Sequence, residues 1–187
     1  MDGFRKLFMV GLTMLLLSTV EVRADQERLL PGTTLPDLKG EFLSGRKAVL
    51  PHVAAGKIAL LALGFTYDSR FAVEAWTDRF RKKFKGNAQV TFFEVPMIGG
   101  AAQLGRWFIN RGMRKGTPTE LHENVVTVYG GTSPWKERLA FKQENDAYLI
   151  LLDPRGTVRW LHTGPFDEEA FAKLSEEARK QLGGRIQ

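Results

Sequence analysis

Residues 147–165, AYLILLDPRGTVRWLHTGP, constrain the fold more than any other stretch of this 187-residue chain. Two apolar runs of strand length, 149–153 and 157–162, flank Pro154-Arg155-Gly156, a combination that punctuates a compact turn. The stretch reads as an antiparallel hairpin. Asp153 belongs to its turn, because a short carboxylate readily accepts hydrogen bonds from the amides that follow it. Beyond the hairpin, Asp167 stands as the N-cap of a terminal helix with Glu168 and Glu169 in its positive first turn. Phe171, Leu174, Ala178 and Leu182 share one face of that helix, and Gly183-Gly184 stops it.

A hairpin of this kind needs a sheet to join, and the upstream sequence supplies one. Residues 58–65, IALLALGF, form a near-continuous apolar run, as expected of a central strand buried on both faces. Residues 66–70 form a loop in which Asp68 or Ser69 is placed to cap the next helix. Val73, Trp76, Phe80 and Phe84 then recur at helical spacing opposite a charged face. Residues 89–95, QVTFFEV, read as a second strand, parallel to the first through a right-handed crossover. Gly99-Gly100 break the chain before a helix over 101–115, with Leu104, Trp107 and Phe108 as its apolar stripe and Arg106, Arg111, Arg114 and Lys115 as its basic face. A third strand spans 124–129, closed by Gly130-Gly131, and a short helix follows Pro134 over 135–141. This order is that of an α/β, thioredoxin-like domain: a central mixed sheet flanked by helices, ending in the hairpin and the C-terminal helix.

The first part of the chain has a different texture. Arg5 and Lys6 precede an apolar run over residues 7–20 that ends in Val22-Arg23-Ala24, the layout of a secretory leader cleaved after Ala24. At 14 residues the run falls short of the ~20 that a spanning helix needs. It has no polar face, and Asp2 and Glu21 flank it, unlike an amphipathic, acid-poor organellar transit sequence. The protein is therefore expected to be exported, periplasmic or otherwise extracytoplasmic. Residues 25–57 are rich in proline and glycine and read as a lead-in of short strands or turns, leaving 58–187 as the thioredoxin-like domain. The whole chain has a net charge of +6, and losing Arg5, Lys6, Arg23, Asp2 and Glu21 with the leader leaves +5. That balance suits either a plain solvated basic surface or contact with an anionic membrane surface or acidic partners. No nucleic-acid-binding motif occurs, and export argues against such a partner.

The chain contains no cysteine. Disulfide exchange and thiol peroxidase chemistry both begin with attack by a thiolate, so this scaffold lacks the nucleophile that its fold is known for. Gly64-Phe65-Thr66-Tyr67 resembles the GFT(Y/H)CPxxC loop of Sco-type copper proteins, with Asp68 and Ala72 where the two cysteines would stand. Copper(I) would thus lose its soft ligands. Thioredoxins also place a cis-proline just before the penultimate strand, where this chain has Asp146-Ala147-Tyr148. The Asp68–Arg70 pair suits a cap or surface ion pair better than a general base. His52, His122 and His162 are spread without ligand spacing, so no metal or other cofactor is assigned. Gly99-Gly100 read as a turn, and no nucleophile elbow, phosphate loop or zinc-hydrolase helix occurs. No catalytic residue is assigned. Trp76, Trp107, Trp135 and Trp160 mostly fit core faces, with Trp135, after the Gly-Gly-Thr-Ser-Pro loop, the best candidate for a binding anchor. Tyr67, Asp68, Ser69 and Arg70 complete the candidate recognition loop.

From residue 123 onward, ENVVTVYGG (123–131), WKERLAF (135–141) and AYLILLDPRGTVRWLHTGPFDEEAF (147–171) form a connected pattern. It resembles that of the ATP10 family, mitochondrial factors that help assemble the membrane sector of ATP synthase. The resemblance is most specific at Leu152-Asp153, Gly156, Val158-Arg159-Trp160, Gly164 and Glu168-Glu169, and looser over 95–108. It implies a thioredoxin-like, non-catalytic protein that binds and helps assemble a protein partner such as a membrane-complex subunit, with Arg159 and Trp160 matching the family's Arg-Trp pair. The leading expectation is thus an exported binding or assembly factor. The alternatives are a redoxin or peroxiredoxin-superfamily enzyme with cysteine-independent chemistry, and a Sco-like carrier.

Overall fold

The computed structural model describes residues 28–183; the leader assigned to residues 1–24 lies outside the described residues. Seven strands form one mixed sheet in the order β2-β1-β5-β4-β3-β6-β7. At its centre β3 (Ile58–Gly64) is buried along its whole length. It pairs in parallel with β4 (Val90–Ile98) and antiparallel with β6 (Ala147–Leu152). Ala59, Leu61 and Leu63 point into one core, while Ile58, Leu60 and Ala62 point into the other. This period of two explains why an unbroken apolar run was needed: both faces of the strand are covered. β6 does the same, sending Tyr148, Ile150 and Leu152 to the first core and Ala147, Leu149 and Leu151 to the second. Burying each such leucine is worth roughly 1.5–3 kcal/mol over leaving it exposed, so these two strands hold much of the molecule's apolar stabilisation.

Two helices cover the second core. α1 (Ser69–Lys83) contributes Val73, Trp76 and Phe80, at the expected spacing. α4 (Glu168–Gly183) contributes Ala170, Phe171, Leu174 and Ala178. Asp167 caps α4 as expected, its Oδ1 accepting the Ala170 amide at 2.7 Å. Start-of-helix chemistry in α1 differs from expectation, because neither Asp68 nor Ser69 supplies a side-chain cap to it. Thr66 Oγ1 instead accepts the Ser69 amide at 3.1 Å, and the Ser69 hydroxyl turns back to donate to the Thr66 carbonyl at 2.8 Å.

The closing hairpin pairs β6 with β7 (Val158–Gly164), with a register shift between Leu151 and Leu152. Gly156 takes φ +81°, and a side chain there would meet Pro51 at 2.7 Å, so glycine serves both the turn and the close approach. Pro51 lies in the segment read as a lead-in, which contributes β1 (Leu38–Phe42) and β2 (Lys47–Leu50) to the same sheet. β1 pairs antiparallel with β5 (Val126–Tyr129), and Leu29, Leu35, Leu38, Phe42 and Leu50 lie in the first core. The backbone of Gly32, Thr33 and Leu35 also hydrogen-bonds to Gly156 and Val158 of the hairpin.

Two helices depart from the sequence reading. α3 spans Thr132–Arg138 and starts ahead of Pro134, which sits in the first turn, where the missing N–H has no intrahelical partner to lose. The stretch expected to be a single helix from 101 is a 3-10 segment, Gly100–Gly105, followed by α2 (Arg106–Gly116). The supposed core stripe faces outward: Leu104 is 89%, Trp107 62% and Phe108 75% exposed. Ile109, Asn110 and Met113 are the half-buried side chains of α2 instead. The bond between the Tyr129 hydroxyl and Asn110 Oδ1 (2.7 Å) and the Arg106–Glu41 ion pair (3.5 Å) fix which side faces inward.

Candidate functional site

The loop between β3 and α1 leaves the sheet from its most buried strand. Gly64 admits it closely, since a Cβ there would come within 2.5 Å of Ser69 Oγ. Thr66 and Ser69 lock the turn reciprocally, and Thr66 Oγ1 also donates to Asn145 Oδ1 at 2.7 Å, tying it to the segment before β6. Phe65 closes the floor. Its ring packs edge-on against Phe141 (5.1 Å) and Tyr148 (5.4 Å), and Lys136 of α3 stands 4.3 Å from the Phe141 ring. The Tyr148 hydroxyl accepts the amides of Lys142 and Gln143 and donates to the Gln143 carbonyl, which pins the neighbouring segment without a proline.

What projects from this base is an arginine between two aromatic rings. The Arg70 guanidinium carbon lies 3.9 Å from the centre of the Tyr67 ring and 4.5 Å from that of Phe71, contacts of cation–π type. Tyr67 is 73% and Phe71 59% exposed, so large apolar area stands in water at a site whose supports are fixed. Asp68 is exposed and forms no ion pair among the described residues; the expected pairing with Arg70 gives way to the ring stack. Ser69 is buried beneath the loop. Tyrosine and arginine are the residue types that most often anchor protein recognition, whereas this loop holds no thiol.

The remaining candidates lie apart from it. Trp135 is only 6% exposed and packs in the first core, so the ring expected to be an anchor is a support. Arg159 sits at the opposite end of the sheet, where its Nε and Nη2 donate to Asp153 Oδ2 at 3.0 and 2.7 Å. Asp153 Oδ1 accepts the amides of Arg155 (2.8 Å) and Thr157 (3.0 Å), the turn role read from sequence. Burial alone would raise the Asp153 pKa, but the Thr157 amide, the Arg159 guanidinium and the Arg155 amide outweigh it and hold the carboxyl below its ordinary value. Trp160 is half-buried, stacked on His162 with ring centres 5.4 Å apart and 6.3 Å from Trp76. The Arg-Trp pair thus serves the hairpin and the second core.

Phe71 was missed by the sequence reading, although it stands about 200° around α1 from Val73 and so opposite the buried stripe. Among the described residues no group of three or more His, Asp or Glu side chains is placed to hold a metal ion, and no helix is long and apolar enough to cross a membrane.

Comparison with solved structures gives the fold. BsSco, a member of the Sco family of cytochrome c oxidase assembly proteins, superimposes with a TM-score of 0.57 at 14% identity, covering 86% of this chain and 99% of that one. A chain named as a thiol:disulfide interchange protein, DsbE from Chlorobium tepidum, gives 0.56 at 16% identity over 82% of this chain and 99% of its own. The exposed lipoprotein thioredoxin Etrx1 from Streptococcus pneumoniae gives 0.52 at 16% over 76% and 99%. The fold is thioredoxin-like, as expected. No curated protein sequence matches the chain. A family model described as ATP10 protein matches residues 31–180, from ahead of β1 to within α4.

Proposed function

Since the chain belongs to the ATP10 protein family, we propose that it is an exported assembly factor that grips a polypeptide subunit of a membrane complex through the Tyr67-Arg70-Phe71 stack. One observation carries this reading: at the loop where the fold elsewhere places its thiols, this chain presents two exposed aromatic rings around an arginine and no sulfur nucleophile. A site of this composition offers desolvation of apolar area and directional donors, which suits recognition, and supplies no thiol for disulfide exchange. The likeness to BsSco, itself named among assembly proteins, is consistent with it.

Photocrosslinking tests the reading. A benzophenone amino acid placed at Tyr67 is expected to give a light-dependent adduct with one membrane-complex subunit, lost when Arg70 and Phe71 are both changed to alanine. An adduct unaffected by those changes, or none from position 67, would overturn it. Export is tested separately by sequencing the N-terminus of the protein recovered from its cells. A start at Asp25 is expected, and a start at Met1 in the cytosolic fraction refutes export.

A further inference from the structure

We propose that the outer face of α2 is a docking surface for an anionic phospholipid membrane. The observation is independent of the β3–α1 loop and of whatever partner binds there. A helix turns about 100° per residue. With the half-buried Ile109, Asn110 and Met113 defining the inner side, exposed residues 107, 108, 111 and 115 fall together on the opposite one. Trp107 and Phe108 are packed edge to face with ring centres 4.8 Å apart, and Leu104 extends the apolar area from the preceding 3-10 segment. A water-exposed cluster of this size on a helix that buries nothing fully calls for an occupant.

Charge selects which one. α2 contains Arg106, Arg111, Arg114 and Lys115 and no acidic residue. Arg106 is engaged with Glu41, and Arg114 donates to the Leu43 carbonyl, so these two brace the helix against the sheet. Arg111 reaches over the Trp107 ring at 5.2 Å, and neither it nor Lys115 has an ion-pair partner among the described residues. The outer face therefore interleaves aromatic rings with two cations, on long apolar stems, that have no ion-pair partner among the described residues. Such side chains let rings settle at the level of lipid head groups while the cations meet phosphate. A helix with four cations and no acidic residue complements an anionic head-group layer, which makes that bilayer the occupant.

The absence of native cysteine gives a direct test on the full chain. A single cysteine at Leu104 is labelled with an environment-sensitive fluorophore, and a second preparation carries the label at Lys173 of α4 as a control. Vesicles contain phosphatidylcholine alone, or phosphatidylcholine with phosphatidylglycerol, each with brominated acyl chains as quencher. Because the readout is local, anchoring through the N-terminal segment does not imitate it. Quenching at 104 but not at 173, in the mixed vesicles only, is expected. Arg111→Ala and Lys115→Ala should each lower the ratio of contacting to free label roughly fivefold, and Trp107→Ala with Phe108→Ala should abolish quenching. Equal quenching at both positions, no quenching at 104, or no preference for phosphatidylglycerol would overturn the proposal. So would a concentration-dependent shift of the 104 label without vesicles, which would make a second copy the occupant.

Discussion

Asp153 and Glu94 are carboxylates whose surroundings push them in opposite directions. Asp153 is held below its ordinary pKa, so the folded state favours the ionised form. Its contribution to stability is present above the unfolded-state value, near 4, and is lost as pH falls through the folded value. Asp153→Ala should cost about 2–3 kcal/mol at neutral pH, because Arg159 and two turn amides lose their acceptor. The gap between wild type and variant in urea unfolding should close in acid. Glu94 lies in the opposite situation. Burial raises its pKa, the Thr77 hydroxyl at 2.7 Å lowers it, Glu74 and Asp78 raise it further, and Arg81 lowers it again. The folded state therefore takes up a proton more readily than the unfolded chain, and stability falls as pH rises through that window. Glu94→Gln keeps an acceptor for Thr77 without the buried charge. It should stabilise by up to about 1 kcal/mol at neutral pH, with the gain fading as pH falls toward 4.

At the scale of elements, the contrast between two tryptophans is the sharpest test. Trp135 packs in the first core, so Trp135→Ala should cost about 3–5 kcal/mol in chemical unfolding. Trp107 stands in water, and Trp107→Ala should change stability by no more than about 0.5 kcal/mol. Their roles were not separable in the sequence. An apolar stripe has the same periodicity whether it faces a sheet or solvent, and what decides between them is the partner surface. For α2 that surface is reached through Asn110, whose polar bond to Tyr129 comes from a distant strand. The stripe of α1 was legible because Val73, Trp76 and Phe80 have a continuous apolar strand to pack on. The Asp167 cap was legible too, since capping is local: Asp167→Ala should lower stability by about 1 kcal/mol, read as a shift in the urea midpoint. The reciprocal Thr66–Ser69 lock was not, because several short polar side chains there could have taken the part.

For the whole molecule, the sheet couples the early and late segments of the described residues. β1 and β2 lie beside β5, while the backbone around Thr33 binds the hairpin at the other side of the first core. Proline and glycine punctuation indicated short strands or turns in this region but not where they pair, because the register of β1 on β5 depends on fit between residues far apart in the chain. Gly40 shows that fit: a side chain there would meet Val126 Cγ1 at 2.6 Å and the Thr127 carbonyl at 2.9 Å. Gly40→Ala should therefore destabilise by about 1–3 kcal/mol, with circular dichroism and tryptophan fluorescence still reporting one coincident transition. Native-state hydrogen exchange should find its slowest amides in β3 and β6, the two strands buried along their length. The Tyr67-Arg70-Phe71 stack grows from the end of that slowest strand. Its tip can thus be rewritten by substitution or grafting without disturbing the body that carries it.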